Sequence, residues 1–287
     1  MSFTITAEII RNNKQRCKKM SEKKLGFIGA GNMATAIING ILRNKAKPAD
    51  RISVFDLDAE KLRMMRENGV NTVSSGAELV ADSDIIVLAV KPQNYDEALR
   101  AIRSAVDETK VFVTIAAGIS IDYVRHGLEK NCPMVRVMPN TPLLLGRGAT
   151  AICRSDNISD SDFEEVYNMF ALSGAAAILP ESQMNAVIAV NGSSPAYFYL
   201  FAKAMTDYAV SVGIDREVAL SLVCKTMEGS AEMLRSSGDT PETLIQKVSS
   251  KGGTTIEAMK VFNERGLPEI VNDAMAACTK RAEELGK

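Results

Sequence analysis

The amino-acid sequence predicts an α/β fold in which a doubly wound parallel sheet is followed by an all-helical domain. Between residues 23 and 181, short apolar runs that are typical of buried strands alternate with amphipathic helical runs. Such alternation indicates a parallel sheet with helices on both faces. After about Pro180 the strand-like runs stop and only helical patterns follow. We therefore expect one domain at 23–181 and a second, helical domain at 182–287.

The composition is that of a globular protein with a sizeable core, with 46% hydrophobic and 24% charged residues. The formal net charge is −1 and no basic stripe with interleaved aromatic residues is present, so we expect no nucleic-acid partner. No apolar run reaches about 18 residues, which predicts no membrane-spanning helix. The five cysteines are scattered and form no CxxC pair, so we expect reduced thiols, a cytoplasmic protein and no metal site.

Residues 1–22 carry basic side chains but no continuous apolar stretch, so a secretory signal peptide is not expected. The apolar residues are too sparse for a packed helix, and we predict a disordered N-terminal extension. An alternative is that Met20 is the natural start, because the folded pattern begins directly after it.

The first predicted strand, Leu25 to Ile28, leads into a glycine-rich turn and a helix. The turn matches G-x-G-x-x-A, in which the first glycine makes a tight turn and the second lets a pyrophosphate approach the backbone. These glycines are Gly29 and Gly31, and Ala34 lets the helix pack closely on the strand. Because free N–H groups at a helix start favour an anion, the stretch predicts a dinucleotide site of the Rossmann type.

The second predicted strand ends in Asp56, 25 positions after Gly31. A carboxylate there can accept hydrogen bonds from the ribose hydroxyls of NAD and would repel the 2′-phosphate of NADP, which favours NADH. The alternative is that Asp56 only caps the next helix. Arg51 and Arg63 are candidate phosphate partners, so NADPH stays open.

Further strands are expected at Asp84–Val90 and Lys110–Gly118, and another within residues 134–153. Ligands bind at the carboxyl ends of such strands, which places Ala89–Gln93 beside the cofactor. The single histidine, His126, lies on a predicted helix, and we expect it to have a surface or packing role.

The helical half contains a second candidate anion site, Ser249–Thr255, directly before a helical run. Its two glycines allow close approach to the backbone, and free N–H groups at the helix start favour an anion. A flexible helix cap explains the same residues, and both interpretations stay open. A helical domain of this size often needs a partner surface, so we also expect oligomerisation.

Six motifs, in this order and spacing, together resemble the pyrroline-5-carboxylate reductase family: GFIGAGNMA, AVKPQ, IAAGIS, RVMPNTP, NGSSPAYFY and SSKGGTTIEA. The resemblance runs from about Lys23 to the C-terminus. It implies a Rossmann domain followed by a helical dimerisation domain, with homodimers that can assemble into decamers. It also implies the NADH- or NADPH-dependent reduction of L-1-pyrroline-5-carboxylate to L-proline, the last step of proline biosynthesis.

The same resemblance assigns the site residues. The cofactor-binding residues would be Ile28, Gly29, Ala30, Gly31, Asn32, Met33, Asp56, Ala89, Val90, Lys91 and Pro92. The substrate-binding residues would be Ser250, Gly252, Gly253, Thr254 and Thr255, with Thr255 as the catalytic contact to the imine nitrogen. Lys251 stands where the family usually has proline, which leaves its effect on the loop open.

Two alternatives compete with this assignment. One is another imine or β-hydroxyacid reductase of the same two-domain plan, for which Lys203 and Lys225 would be the nearest candidates for a catalytic lysine. The other is a non-catalytic NAD-binding sensor, which would bind the cofactor without turnover.

Overall fold

The computed structural model describes residues 20–286, which form two compact units. The first unit contains the described residues up to Ser193 together with those from Cys278 onward, and the second contains Ser194–Ala277. Most of the predicted extension lies outside the described residues. Its last residues belong to the first unit, since Met20 is buried and its N–H donates to the Ala46 carbonyl at 3.0 Å.

One eight-stranded sheet organises the first unit, in the order β3-β2-β1-β4-β5-β6-β7-β8. Every pair of neighbouring strands is parallel except β6 and β7. The strands are β1 Leu25–Ile28, β2 Ile52–Phe55, β3 Asn71–Thr72, β4 Ile85–Leu88, β5 Val111–Thr114, β6 Met134–Met138, β7 Gly148–Arg154 and β8 Gly174–Ile178. The predicted α/β fold with a mainly parallel sheet is confirmed.

The β6–β7 pair corrects one expectation, because residues 134–153 form two strands rather than one. The two strands run antiparallel, with Arg136 opposite Cys153. Their connection, residues 139–147, is too short for the crossover of about a dozen residues that parallel neighbours require. It contains a short 3-10 helix, Thr141–Leu145, which reverses the chain.

Helices cover both faces of the sheet and divide the core into two layers. Between residues 20 and 193, the α-helices are α1 Asn32–Arg43, α2 Ala59–Glu67, α3 Gly76–Asp82, α4 Tyr95–Ile102, α5 Ile121–Leu128 and α6 Asp160–Ala171. Strand residues alternate between the layers: Val87 packs with α1 and α6, whereas Leu88 packs with α3, α4 and α5. The central strands are therefore apolar on both faces, as expected for a buried parallel sheet.

The second unit is helical. It contains α7 Ser194–Ser211, α8 Arg216–Ser236, α9 Pro241–Val248, α10 Thr254–Glu264 and the first part of α11 Leu267–Leu285. Many large apolar side chains on these helices are exposed, among them Leu200 and Tyr208. Contiguous apolar exposure of this kind marks an interaction surface. None of the helices between residues 20 and 286 combines the length and apolar character that a membrane span requires.

The compact units divide the chain at positions different from the predicted boundary at 181/182. Residues 182–193 pack with the sheet, because Arg136 donates to Asn185 Oδ1 at 2.5 Å and Asn191 donates to the Met138 carbonyl at 2.7 Å. The end of α11 also returns to the first unit. Its Ala282 carbonyl lies so near Gly118 that a Cβ on this glycine would be 2.5 Å away.

Candidate active site

A cleft of about 570 Å³ lies in the first unit beside the carboxyl ends of β1, β2 and β4. The strand order reverses between β1 and β4, and open α/β sheets bind ligands at such a reversal. Seven of the predicted cofactor-binding residues line the cleft: Ile28, Gly29, Gly31, Asp56, Ala89, Val90 and Lys91. The chain therefore brings its three predicted cofactor segments together in one place.

The two glycines of the first loop have different physical roles. Gly29 has a φ of +104°, and a Cβ there would lie 2.7 Å from the Ala89 carbonyl oxygen, so the fold itself requires glycine. Gly31 has an ordinary φ of −74°, and a Cβ there would meet nothing within 4 Å. The open space beside Gly31 is room for a ligand rather than for packing.

The start of α1 fits a pyrophosphate. Gly31 is its N-cap and no side chain caps the helix, so the first N–H groups are available to an anion. Ala34 is fully buried, which brings the helix close to the strand, as predicted. These residues suit a dinucleotide phosphate group in both geometry and charge.

Asp56 has a structural role that the sequence did not reveal. Its Oδ2 accepts the Ala30 N–H at 2.7 Å, and its Oδ1 accepts the Asp58 N–H at 2.9 Å. The carboxylate thus fastens the glycine loop to the end of β2 while still lining the cleft. The helix-cap alternative for Asp56 is wrong, because Asp58 is the N-cap of α2 and accepts from the Glu60 and Lys61 N–H groups.

The cations predicted as phosphate partners lie elsewhere. Arg51 is 3.5 Å from Glu22, and Arg63 pairs with Glu60 and Glu67 on the exposed face of α2. Neither of these arginines lines the cleft. Lys61 does line it, although the local sequence pattern gives no sign of that position.

A buried tyrosine supports the strand end that leads into the cofactor segment Ala89–Lys91. The Tyr95 hydroxyl donates to the Leu88 carbonyl at 2.8 Å and lies 2.9 Å from Thr114 Oγ1. Burial raises the pKa of Tyr95 well above its usual range, so the hydroxyl stays neutral. The contact ties the start of α4 to the ends of β4 and β5, directly before the segment Ala89–Lys91.

The second loop lies between α9 and α10 in the helical unit. Gly252 has a φ of +76°, and Gly253 is the N-cap of α10, again without a side-chain cap. The positive φ requires glycine at 252, whereas at 253 a Cβ would be 2.6 Å from Ser250 Oγ, a side-chain atom that would have to rotate away. Thr254 and Thr255 are the first two helical residues, which places their N–H groups at the uncapped end.

The comparisons with known proteins cover nearly the whole chain. A family model described as pyrroline-5-carboxylate reductase dimerisation matches residues 181–285, and one described as NADP oxidoreductase, coenzyme F420-dependent, matches residues 24–118. The pyrroline-5-carboxylate reductase of Escherichia coli K12 is 36% identical over 93% of this chain and 99% of its own length. That of Pseudomonas aeruginosa is 39% identical over 93% of this chain and 98% of its own length.

This chain belongs to the pyrroline-5-carboxylate reductase family. Solved structures agree. The pyrroline carboxylate reductase of Plasmodium falciparum, with NADP bound, superposes with a TM-score of 0.86 at 29% identity, over 93% of this chain and all of that one. The enzyme of Coxiella burnetii gives a TM-score of 0.85 at 30% identity with the same coverage. The predicted family, the NAD(P)-dependent oxidoreductase class and a dimerising helical region are confirmed.

Four predicted cofactor-binding residues of this family member do not line the cleft: Ala30, Asn32, Met33 and Pro92. Ala30 is buried and its N–H is already bonded to Asp56. Met33 packs against the core, and Pro92 starts a 3-10 turn. For these residues contact with the dinucleotide stays a prediction.

Gln93 also lines the cleft, as expected for the segment Ala89–Gln93. The remaining lining residues were not predicted: Phe55, Leu57, Lys61, Ser75, Gly76, Ala77, Asn94, Glu97, Ala98, Ala101 and Ile102. Most come from α3 and α4, whose small residues leave the cleft open. One signal could have found some of them, since Ser75 and Gly76 form the helix entry that follows β3.

His126 lies outside the cleft. It is exposed on α5 with its Nδ1 2.7 Å from the Asp122 carbonyl, which accords with a surface role. Within residues 20–286, no group of three or more His, Cys, Asp or Glu side chains is arranged to hold a metal ion.

Proposed function

We propose that this protein reduces L-1-pyrroline-5-carboxylate to L-proline with NAD(P)H, the last step of proline biosynthesis. The observation that carries the proposal is the end-to-end similarity to pyrroline-5-carboxylate reductases, 36% over 267 residues for the Escherichia coli protein. Two uncapped helix starts with glycine-rich entries support it, one for a pyrophosphate and one for a carboxylate.

The first unit would hold the cofactor. The N–H groups at the start of α1 would bind the pyrophosphate, with Gly31 allowing its close approach. Asp56 would accept hydrogen bonds from the adenosine ribose, and the segment Ala89–Pro92 would contact the dinucleotide further along. When bound, the nicotinamide supplies the hydride that C5 of the ring imine accepts.

The second loop would hold the substrate. The N–H groups and hydroxyls of Ser250, Gly252, Gly253, Thr254 and Thr255 suit one carboxylate without a cluster of cations. The Thr255 hydroxyl would hydrogen-bond to the imine nitrogen. A threonine hydroxyl does not ionise near neutral pH, so its role would be to orient the ring and to pass on a proton. Most of the rate enhancement would come from positioning.

Cofactor preference and assembly are part of the same proposal. Asp56 would favour NADH, because a carboxylate at this position opposes a 2′-phosphate. The dimerising helices would form a homodimer, and dimers could assemble into decamers. The cytoplasmic location stays a prediction.

A catalytic lysine of the β-hydroxyacid type finds no support in the structure. Lys203 and Lys225 are exposed on α7 and α8, where they pair with Asp207 at 2.6 Å and Glu228 at 2.8 Å. No observation favours the non-catalytic sensor.

The deciding experiment is the oxidation of NADH, and separately of NADPH, by purified protein with and without L-1-pyrroline-5-carboxylate. Substrate-dependent oxidation that yields proline establishes the reaction. Dinucleotide binding without turnover on this substrate would refute it. An Asp56→Asn variant tests the ribose assignment, since an amide keeps the size of the side chain and can still accept the Ala30 N–H, while it gives up the bond from the Asp58 N–H. The NADH preference should fall by about tenfold, in line with the loss of one charged contact.

A further inference from the structure

Lys61 lies between two carboxylates at the rim of the cleft. Its Nζ is 3.7 Å from Asp56 Oδ1 and 3.6 Å from Asp58 Oδ2, and its side chain is 43% exposed. Among residues 20–286, the only other cation that lines the cleft is Lys91, which follows β4 rather than β2. Lys61 is therefore the positive charge on the side where β2 ends.

The 2′ oxygen of the adenosine ribose is expected on the side of the cleft where β2 ends. In dinucleotide folds the acidic residue after the second strand reads the ribose hydroxyls, and a nearby cation accommodates a 2′-phosphate. In this chain, Asp56 is the acidic residue that follows the second strand. The ammonium group beside it is within reach of any group carried on the 2′ oxygen, because a lysine stem has four flexible carbons.

The two carboxylates do not depend on Lys61 for their position. Each Asp56 oxygen already accepts a backbone N–H, and Asp58 Oδ1 accepts the N–H groups of the first turn of α2. The pair with Asp58 is exposed on both sides and contributes little to stability, and in the pair with Asp56 the lysine is exposed at a separation of 3.7 Å. Lys61 can consequently leave its carboxylate partners for a stronger anion at small cost.

Other groups near the end of β2 are engaged or apolar. The Glu60 and Lys61 N–H groups at the start of α2 are bonded to Asp58, and the side chain of Leu57, the residue between the two aspartates, is apolar and 89% exposed. Arg63 is engaged with Glu60 and Glu67. Lys61 is therefore the cation near the end of β2 that can pair with the negative charge of a 2′-phosphate.

We propose that Lys61 binds the 2′-phosphate of NADPH, so that one cleft accepts both dinucleotides. With NADH, Lys61 stays with the two carboxylates and Asp56 reads the ribose. With NADPH, Lys61 pairs with the phosphate and offsets the repulsion from Asp56. The inference rests on the proposed function only in taking the cleft as the dinucleotide site.

Two probes that differ only in the 2′-phosphate test it: 2′,5′-ADP and 5′-AMP, titrated calorimetrically into the full chain. Lys61→Met should weaken 2′,5′-ADP about tenfold, the worth of one charge-assisted contact, and change 5′-AMP less than about twofold. Arg63→Met, two residues along the same helix, is the matched control and should leave the ratio unchanged. Lys61→Arg should retain most of the 2′,5′-ADP affinity.

An equal loss of both ligands in Lys61→Met, or no loss of either, would overturn the inference. A shift of the ratio in Arg63→Met as large as in Lys61→Met would do the same, because it would mean a diffuse charge effect. These titrations need no pyrroline substrate, so their result is independent of the turnover experiment. A chain that fails to reduce the pyrroline can still show the Lys61 effect, and the reverse also holds.

Discussion

The two units bury their apolar residues to very different extents. In the first, the strands β1, β4 and β5 are almost entirely excluded from solvent. In the second, residues 194–277, only Thr206, Ala219 and Val223 are buried, while large apolar side chains on α7 and α8 stand exposed. The first unit therefore folds around its own core. The second presents its apolar surface outward, as a dimerising region would.

The largest expected effect is on the core of the first unit. Lys47 and Glu165 form a buried ion pair at 3.1 Å, and Lys47 Nζ also donates to the Ser21 and Lys23 carbonyls. Lys47→Ala leaves the carboxylate buried and unpaired, which should lower the free energy of unfolding by about 3–5 kcal/mol. Chemical denaturation at several protein concentrations measures this and separates unfolding from dissociation.

The matched control for that experiment is Lys24→Ala. Lys24 also pairs with a carboxylate, that of Asp82, but both side chains are about half exposed. Its loss should cost less than about 1 kcal/mol. Equal effects of the two variants would show that the buried pair does not hold the segment before β1.

The second effect is on assembly. Leu200 on α7 is 67% exposed, and burying a leucine at an interface stabilises it by about 1.5–3 kcal/mol. Leu200→Asp should therefore shift the oligomer toward monomers, measured by light scattering during size-exclusion chromatography. Leu145 in the first unit is 78% exposed, and Leu145→Asp should leave the oligomer unchanged. If Leu145→Asp dissociates the oligomer and Leu200→Asp does not, the interface lies on the first unit and the prediction is wrong.

Some strands of the first unit can be predicted from the sequence and others cannot. β1 was predicted with its observed ends, because a continuous apolar run meets a glycine turn. β8 was missed, since its sequence, GAAAI, has poor strand propensity and gains its place only by pairing with β7. Pairing between distant segments is not visible in local pattern.

The same limit applies to the site. Gly29, Gly31 and Asp56 were predicted because the backbone needs those residue types at fixed spacing. Ser75 and Ala98 line the cleft only because α3 and α4 pack beside β1 and β4, which is a tertiary fact. The contact between the end of α11 and Gly118 could not be predicted from the local sequence either, because Gly118 lies in a pattern typical of a strand end.

A third prediction separates the functions of the two units. Thr255→Val removes one hydroxyl from the loop of the second unit and should lower kcat by about a hundredfold, the lower end of the range of a positioned proton donor. NADH affinity, a property of the first unit, should stay unchanged in a fluorescence titration. Thr226→Val, at an exposed position on α8, is the control. Normal turnover in Thr255→Val would remove Thr255 from the mechanism.

The smallest effect is the most discriminating, because it divides stability from binding within the first unit. Gly31 has a φ that alanine adopts freely, and a Cβ there meets nothing within 4 Å. Gly31→Ala should therefore change the free energy of unfolding by less than about 1 kcal/mol, because the gain from a less flexible unfolded chain is opposed by the poorer N-cap that alanine makes. It should also weaken dinucleotide binding, because the methyl group occupies the space beside the helix start. Gly29→Ala, at a φ of +104° and 2.7 Å from the Ala89 oxygen, should instead destabilise the protein. If Gly31→Ala binds NADH normally, the pyrophosphate does not approach this residue.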